Sequence, residues 1–132
     1  MDKEIIIGTR GSKLALIYAQ KVKDQLIKLA NISDEQIKLK EIVTKGDQVQ
    51  DKRLSEIGGK GLFSKNIEIE LLEGNIDVAV HALKDMPANE TENLSTYAYL
   101  KRNDPREVLI TKKKKKISEL NSNAIIGTSS YR

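Results

Sequence analysis

The sequence predicts an α/β domain built on a mostly parallel sheet with flanking helices. Short runs rich in isoleucine and valine alternate with stretches whose apolar residues recur at helical spacing, in the order β-α-β-α-β. A strand running into Gly-Thr occurs twice, at Gly8-Thr9 and at Gly127-Thr128. That echo is either the opening of a second, similar α/β unit late in the chain or a chance recurrence of a common strand-to-turn pattern.

Glu4 to Thr9 reads as the first strand, and Ile5-Ile6-Ile7 implies burial on both faces. Arg10-Gly11-Ser12 is a turn, with Ser12 a good N-cap because its hydroxyl can accept from an orphan N–H. A helix follows from about Lys13 to Leu29, with Ala15, Ala19, Val22, Leu26 and Leu29 in one stripe. Asn31 to Asp34 ends it. Ile37 to Val43 reads as the second strand, and the polar, glycine-containing Thr44 to Gly61 as a long functional loop. Phe63 to Glu73 looks helical, stopped by Gly74, and Ile76 to His81 is a third buried strand. Leu94 to Leu100, Glu107 to Thr111 and Ala124 to Gly127 read as further strands. Asp104-Pro105 is a stiff turn suited to a domain crossing, and Ser118 opens a short helical turn.

Composition excludes several kinds of chemistry. With no cysteine there can be no disulfide, thiolate metal site or thiol anchor, and His81 alone cannot build a histidine metal site, so no metal is expected. Aromatic residues make up 4%, so the core must be aliphatic. No run approaches the ~18 apolar residues of a membrane span, and a soluble cytoplasmic protein is the natural reading. The net charge of +4 favours anionic partners. Lys112 to Lys116 carries much of that charge. It reads as a solvated loop rather than a nucleic-acid surface, since no aromatic residues interleave with it.

Several residues fall at the ligand end of such a sheet, just past the carboxyl ends of strands. Arg10 could grip a carboxylate bidentately, or pair with a nearby acid. Gly58-Gly59-Lys60-Gly61 lacks the full phosphate-loop pattern and reads either as a mobile loop bearing a cation or as a simple connection. Lys84-Asp85 is either a surface ion pair or a fixed carboxylate that stabilises developing positive charge. His81 reads as a half-buried strand-end residue. Thr128-Ser129-Ser130 would form a second anion-binding turn with Arg132 beside it.

Taken in order, these segments resemble the porphobilinogen deaminase (hydroxymethylbilane synthase) family along the whole chain. The matching stretches are Thr9-Arg10-Gly11-Ser12, Thr44-Lys45-Gly46-Asp47, Gly58-Gly59-Lys60-Gly61-Leu62-Phe63, Asp77 to His81 with Lys84-Asp85, Asp104-Pro105-Arg106, and Gly127 to Ser130 with Arg132. The resemblance implies a transferase of haem and porphyrin biosynthesis. Such an enzyme joins porphobilinogens head to tail, releases ammonia and grows a tetrapyrrole on a dipyrromethane cofactor held by a cysteine. It implies Asp85 as the catalytic carboxylate that holds pyrrole N–H groups. Arg10, Ser12, Lys84, Thr128, Ser129, Ser130 and Arg132 would bind cofactor and substrate carboxylates, and Gly58, Gly59, Lys60 and Gly61 would belong to a mobile loop. The implied fold is of the type II periplasmic-binding-protein kind, with residues 1–100 as domain 1 and 101–132 as the start of domain 2.

Three positions depart from the family pattern: Tyr18 for the usual Gln, Glu56 for a basic residue, and Ala82 for Ser. Family members are well over twice this length, so the chain is expected to be an N-terminal piece. Lacking the cysteine that anchors the cofactor, it is expected to be inactive alone. The family is usually monomeric, while an incomplete second domain would favour self-association. The competing expectation is a non-catalytic anion-binding module of the same fold.

Overall fold

The computed structural model describes residues 4–48 and 61–128. Its centre is a three-stranded parallel sheet in the order β2-β1-β3, where β1 is Ile5–Thr9, β2 Ile37–Glu41 and β3 Val78–Ala79. Ile7 of β1 stands opposite Leu39 on one side and Val78 on the other. The apolar run of β1 fits this central position. Successive side chains of a strand point to opposite faces, so Ile6 and Ile7 serve different layers.

Helix α1 (Lys13–Ala30) covers one face. The Ser12 hydroxyl accepts from the Ala15 N–H at 3.3 Å, as its N-cap position predicts, and Asn31 stops the helix in the left-handed conformation at φ 54°. Ala19 is fully buried against Ile7 and Ile37, with Val22, Leu26 and Ile27 packed around them. Leu29 leaves the predicted stripe and is 77% exposed, while Ile27 packs against the buried cluster in its place. Helix α3 (Lys65–Leu72) covers the opposite face, where Ile67 packs with Ile42, Ile76, Ile6 and Leu71. Gly74 turns the chain at φ 73°, in the role its position predicts.

The third strand is shorter than the predicted Ile76 to His81, but its hydrogen bonding reaches further than its ladder. The Asp77 carboxylate accepts from the Ile6 N–H at 2.9 Å, Asp77 N–H donates to the Ile6 carbonyl, and Val80 N–H donates to the Gly8 carbonyl. The region predicted as one long loop opens with a helical turn, α2 (Lys45–Gln48).

Leu94 to Leu100, Glu107 to Thr111 and Ala124 to Gly127 were expected to be strands and are not strands in the structure. Ile125 and Ile126 are exposed rather than buried, at 99% and 67%. An apolar run supplies strand propensity, but a strand also needs a neighbour for its N–H and C=O groups, and none pairs with these segments among the described residues. A 3₁₀ turn at Ile117–Glu119 matches the short helix expected near Ser118.

The chain divides into two compact units, Met1–Leu100 and Lys101–Arg132. The first holds every buried residue found among the described positions. No helix among those positions is long and apolar enough to cross a membrane.

Candidate functional site

Parallel strands end at one edge of their sheet, and that edge collects the chemistry. Arg10 follows β1, Thr44 lies three residues past β2, and the stretch 81–85 follows β3. Asp85 closes a 3₁₀ turn, Leu83–Asp85, in which its own N–H donates to the Ala82 carbonyl.

Arg10 lies between two carboxylates. Its Nε donates to Asp47 Oδ1 at 3.1 Å and its Nη2 to the same oxygen at 2.5 Å. Its Nη1 lies 3.6 Å from Asp85 Oδ2, an ion pair beyond hydrogen-bond reach. The guanidinium carbon stands 3.9 Å from the centre of the Phe63 ring. Asp47 is fixed in turn by fully buried Thr44, whose hydroxyl donates to Asp47 Oδ2 at 2.6 Å. Gly46 makes this packing possible, since a Cβ there would fall 2.2 Å from Phe63 Cε1. Burial alone would raise the Asp47 carboxyl. The hydrogen bonds from Arg10 and Thr44 and the Arg10 charge outweigh it and hold Asp47 below the ordinary carboxylate range.

Asp85 is open to a ligand. Its side chain is 19% exposed and accepts no hydrogen bond among the described residues. Its ionic partner is Arg10 and not the adjacent Lys84, which is exposed and unpaired among those residues. A carboxylate with free acceptor sites beside a fixed guanidinium suits a ligand that carries an N–H donor together with a carboxylate.

His81 is partly buried just past β3, as its position predicts. Burial is the main influence and lowers its pKa, Glu68 and Asp85 pull it up, and Arg10 pushes it down; the net result is a value below the ordinary one. Glu68 accepts from the Thr91 hydroxyl at 2.8 Å through Oε2.

The sequence placed Arg10, Lys84 and Asp85 at the end of the sheet where they lie, and Ser12 at the N-cap of α1. It missed the partners of Arg10. Thr44, Gly46 and Asp47 follow the end of β2 as Arg10 follows β1, and that shared position was the available signal. Gly61 is described, at φ 75°, in the turn whose carbonyl accepts from Lys65 N–H before α3. Gly58, Gly59, Lys60, Glu56, Ser129, Ser130 and Arg132 lie outside the described residues. Thr128 is exposed and lies in the second unit. Among the described residues no group of three or more His, Cys, Asp or Glu side chains could hold a metal ion.

Residues 5–132 match the family model described as porphobilinogen deaminase, dipyromethane cofactor binding domain. Among curated relatives, porphobilinogen deaminase of Shouchella clausii is 48% identical over 130 residues, covering 98% of this chain and 41% of that protein. The porphobilinogen deaminase of Brevibacillus brevis is 50% identical over 126 residues, 96% of this chain and 40% of its own length. That of Bacillus subtilis is 47% identical over 133 residues, covering 100% of this chain and 41% of its own length. The chain thus spans about two fifths of the length of these relatives.

Proposed function

The chain belongs to the porphobilinogen deaminase family, and on that premise we propose that it is the N-terminal part of a hydroxymethylbilane synthase. The activity is the head-to-tail joining of porphobilinogens with release of ammonia. The observation that carries this proposal is the Asp85 carboxylate, held near Arg10 with its hydrogen-bond acceptor sites open. Porphobilinogen offers what that geometry suits, a pyrrole N–H and two side-chain carboxylates.

In this reading Asp85 accepts the pyrrole N–H. As ammonia leaves, the ring becomes electron-poor, and the fixed negative charge of Asp85 stabilises the positive character that develops. Arg10 presents Nη1 to the ligand side, and exposed Lys84 supplies a second cation for a carboxylate. Ser12 lies at the N-terminus of α1, where unpaired backbone N–H groups favour an anion. Thr128, Ser129, Ser130 and Arg132 are read as carboxylate-binding residues within 101–132, itself read as the start of a second domain after a first spanning 1–100. A type II periplasmic-binding-protein architecture and a cytoplasmic, monomeric protein complete this reading.

The described residues also fit the family's dipyrromethane, itself an assembly of pyrrole N–H groups and carboxylates: Asp85, Arg10 and Lys84 would hold it. When bound, that group supplies the pyrrole end from which the product grows. The chain has no cysteine to carry it covalently. The net charge of +4 supports a second reading, an anion-binding module of the same fold without turnover.

Calorimetry on the 132-residue chain with porphobilinogen, phosphate and sulfate separates the two. The enzyme reading expects a preference for porphobilinogen that Asp85→Ala weakens by roughly 10- to 100-fold, the loss of a hydrogen bond to a charged group. Equal affinity for all three anions, unchanged by Asp85→Ala, would leave the module reading standing.

A further inference from the structure

The Arg10 guanidinium is restrained on one edge and on one face. Asp47 takes the Nε and Nη2 edge, and the Phe63 ring lies against the plane. Thr44, with no exposed surface, fixes the carboxylate that does the holding. Arginine has five N–H donors in a rigid fork, so this arrangement commits one edge and leaves Nη1 directed toward Asp85. A long side chain that must be ordered during binding weakens capture, and ordering it in advance removes that cost.

We propose, resting on the ligand site above, that Asp47 is a positioning residue: it pre-orders Arg10 so that the Nη1 edge of the guanidinium meets a ligand carboxylate beside Asp85. Charge compensation is the competing role, and the two differ in sign. Asp47→Asn makes the site more positive. Were Asp47 only balancing charge, an anionic ligand would bind more tightly to that variant. If Asp47 positions Arg10, the ligand binds more weakly despite the added positive charge.

The test uses the full chain and two readouts. Nitrogen-15 NMR follows the Arg10 Nε–H resonance, identified by its loss in Arg10→Lys, and calorimetry follows porphobilinogen. In Asp47→Asn the solvent exchange of that N–H is expected to accelerate roughly tenfold or more, and the porphobilinogen Kd to rise roughly tenfold. Repeating the titration in 1 M salt, where the screening length is ~3 Å, removes most of the long-range charge difference and should leave the loss in place. Thr44→Val removes the bond to Asp47 without changing charge and should move both readouts the same way by less. It decides the matter if Asp47→Asn does not fold. An unchanged Nε–H signal, or tighter porphobilinogen binding by Asp47→Asn, overturns the proposal. Should the unmodified chain bind no porphobilinogen, the ligand-site reading fails, while the Nε–H measurement still decides whether Asp47 orders Arg10.

Discussion

At the residue scale, His81 shows how burial and neighbouring charge compete within a few ångströms of the site. Burial favours the neutral imidazole, and the pull of Glu68 and Asp85 does not overcome it. The folded pKa therefore lies below the ordinary value of 6.5, and in the window beneath that value the unfolded chain binds more protons than the folded one. Stability should then fall as pH drops through about 6.5, where an unperturbed histidine titrates. His81→Gln should remove this part of the dependence, as read from urea midpoints between about pH 5 and 7.5. Identical slopes for the two proteins would refute the assignment. Asp47 acts in a different window and with the opposite origin. Its lowered carboxyl adds stability above the ordinary carboxylate value, which is lost on further acidification.

At the element scale, helix α1 ties folding to the ligand site through one hydroxyl. Ser12 caps the first turn and is also a candidate ligand contact. The two roles can be separated because aspartate caps as well as serine does but brings a negative charge. Ser12→Ala should cost about 1 kcal/mol of folding stability. Ser12→Asp should keep most of that stability and still weaken porphobilinogen binding. Chemical denaturation beside calorimetry checks both, and a Ser12→Asp chain that binds as well as the original would remove Ser12 from the site. Here the sequence was legible, because capping, helical spacing and a glycine stop depend on neighbours a few residues away. The partners of Arg10 were not legible in the same way. Asp47 is 37 positions away in the chain, and only the parallel pairing of β1 with β2 brings the two together.

At the scale of the whole molecule, the two units differ in what they bury. Within Met1–Leu100, two aliphatic clusters flank the sheet, one under α1 and one under α3. Within Lys101–Arg132, no described residue is buried, and Val108, Ile110, Ile117 and Ile126 are largely exposed. Ile7→Ala should therefore destabilise the chain by about 2–5 kcal/mol, through lost burial and the cavity left behind. Ile126→Ala should change stability by no more than about 0.5 kcal/mol. Urea unfolding of both variants provides the comparison, and a large cost at Ile126 would reveal packing in the second unit that its exposure does not suggest.

The sequence by itself determined the β-α-β-α-β alternation of the first hundred residues, the cap and stop of α1, the glycine stop after α3, and the placement of Arg10, Lys84 and Asp85 where parallel strands end. These depend on periodicity, on local hydrogen bonding and on the order of motifs along the chain. Only the tertiary structure decided that Asp85 pairs with Arg10 rather than with its neighbour Lys84, and that Arg10 is clasped by Asp47 over Phe63. It also decided that apolar runs such as Ile125-Ile126 do not become strands. In each case the deciding quantity is the choice of a distant partner, a carboxylate for a guanidinium or a ladder for a lone strand. The residues nearby in sequence do not carry that choice.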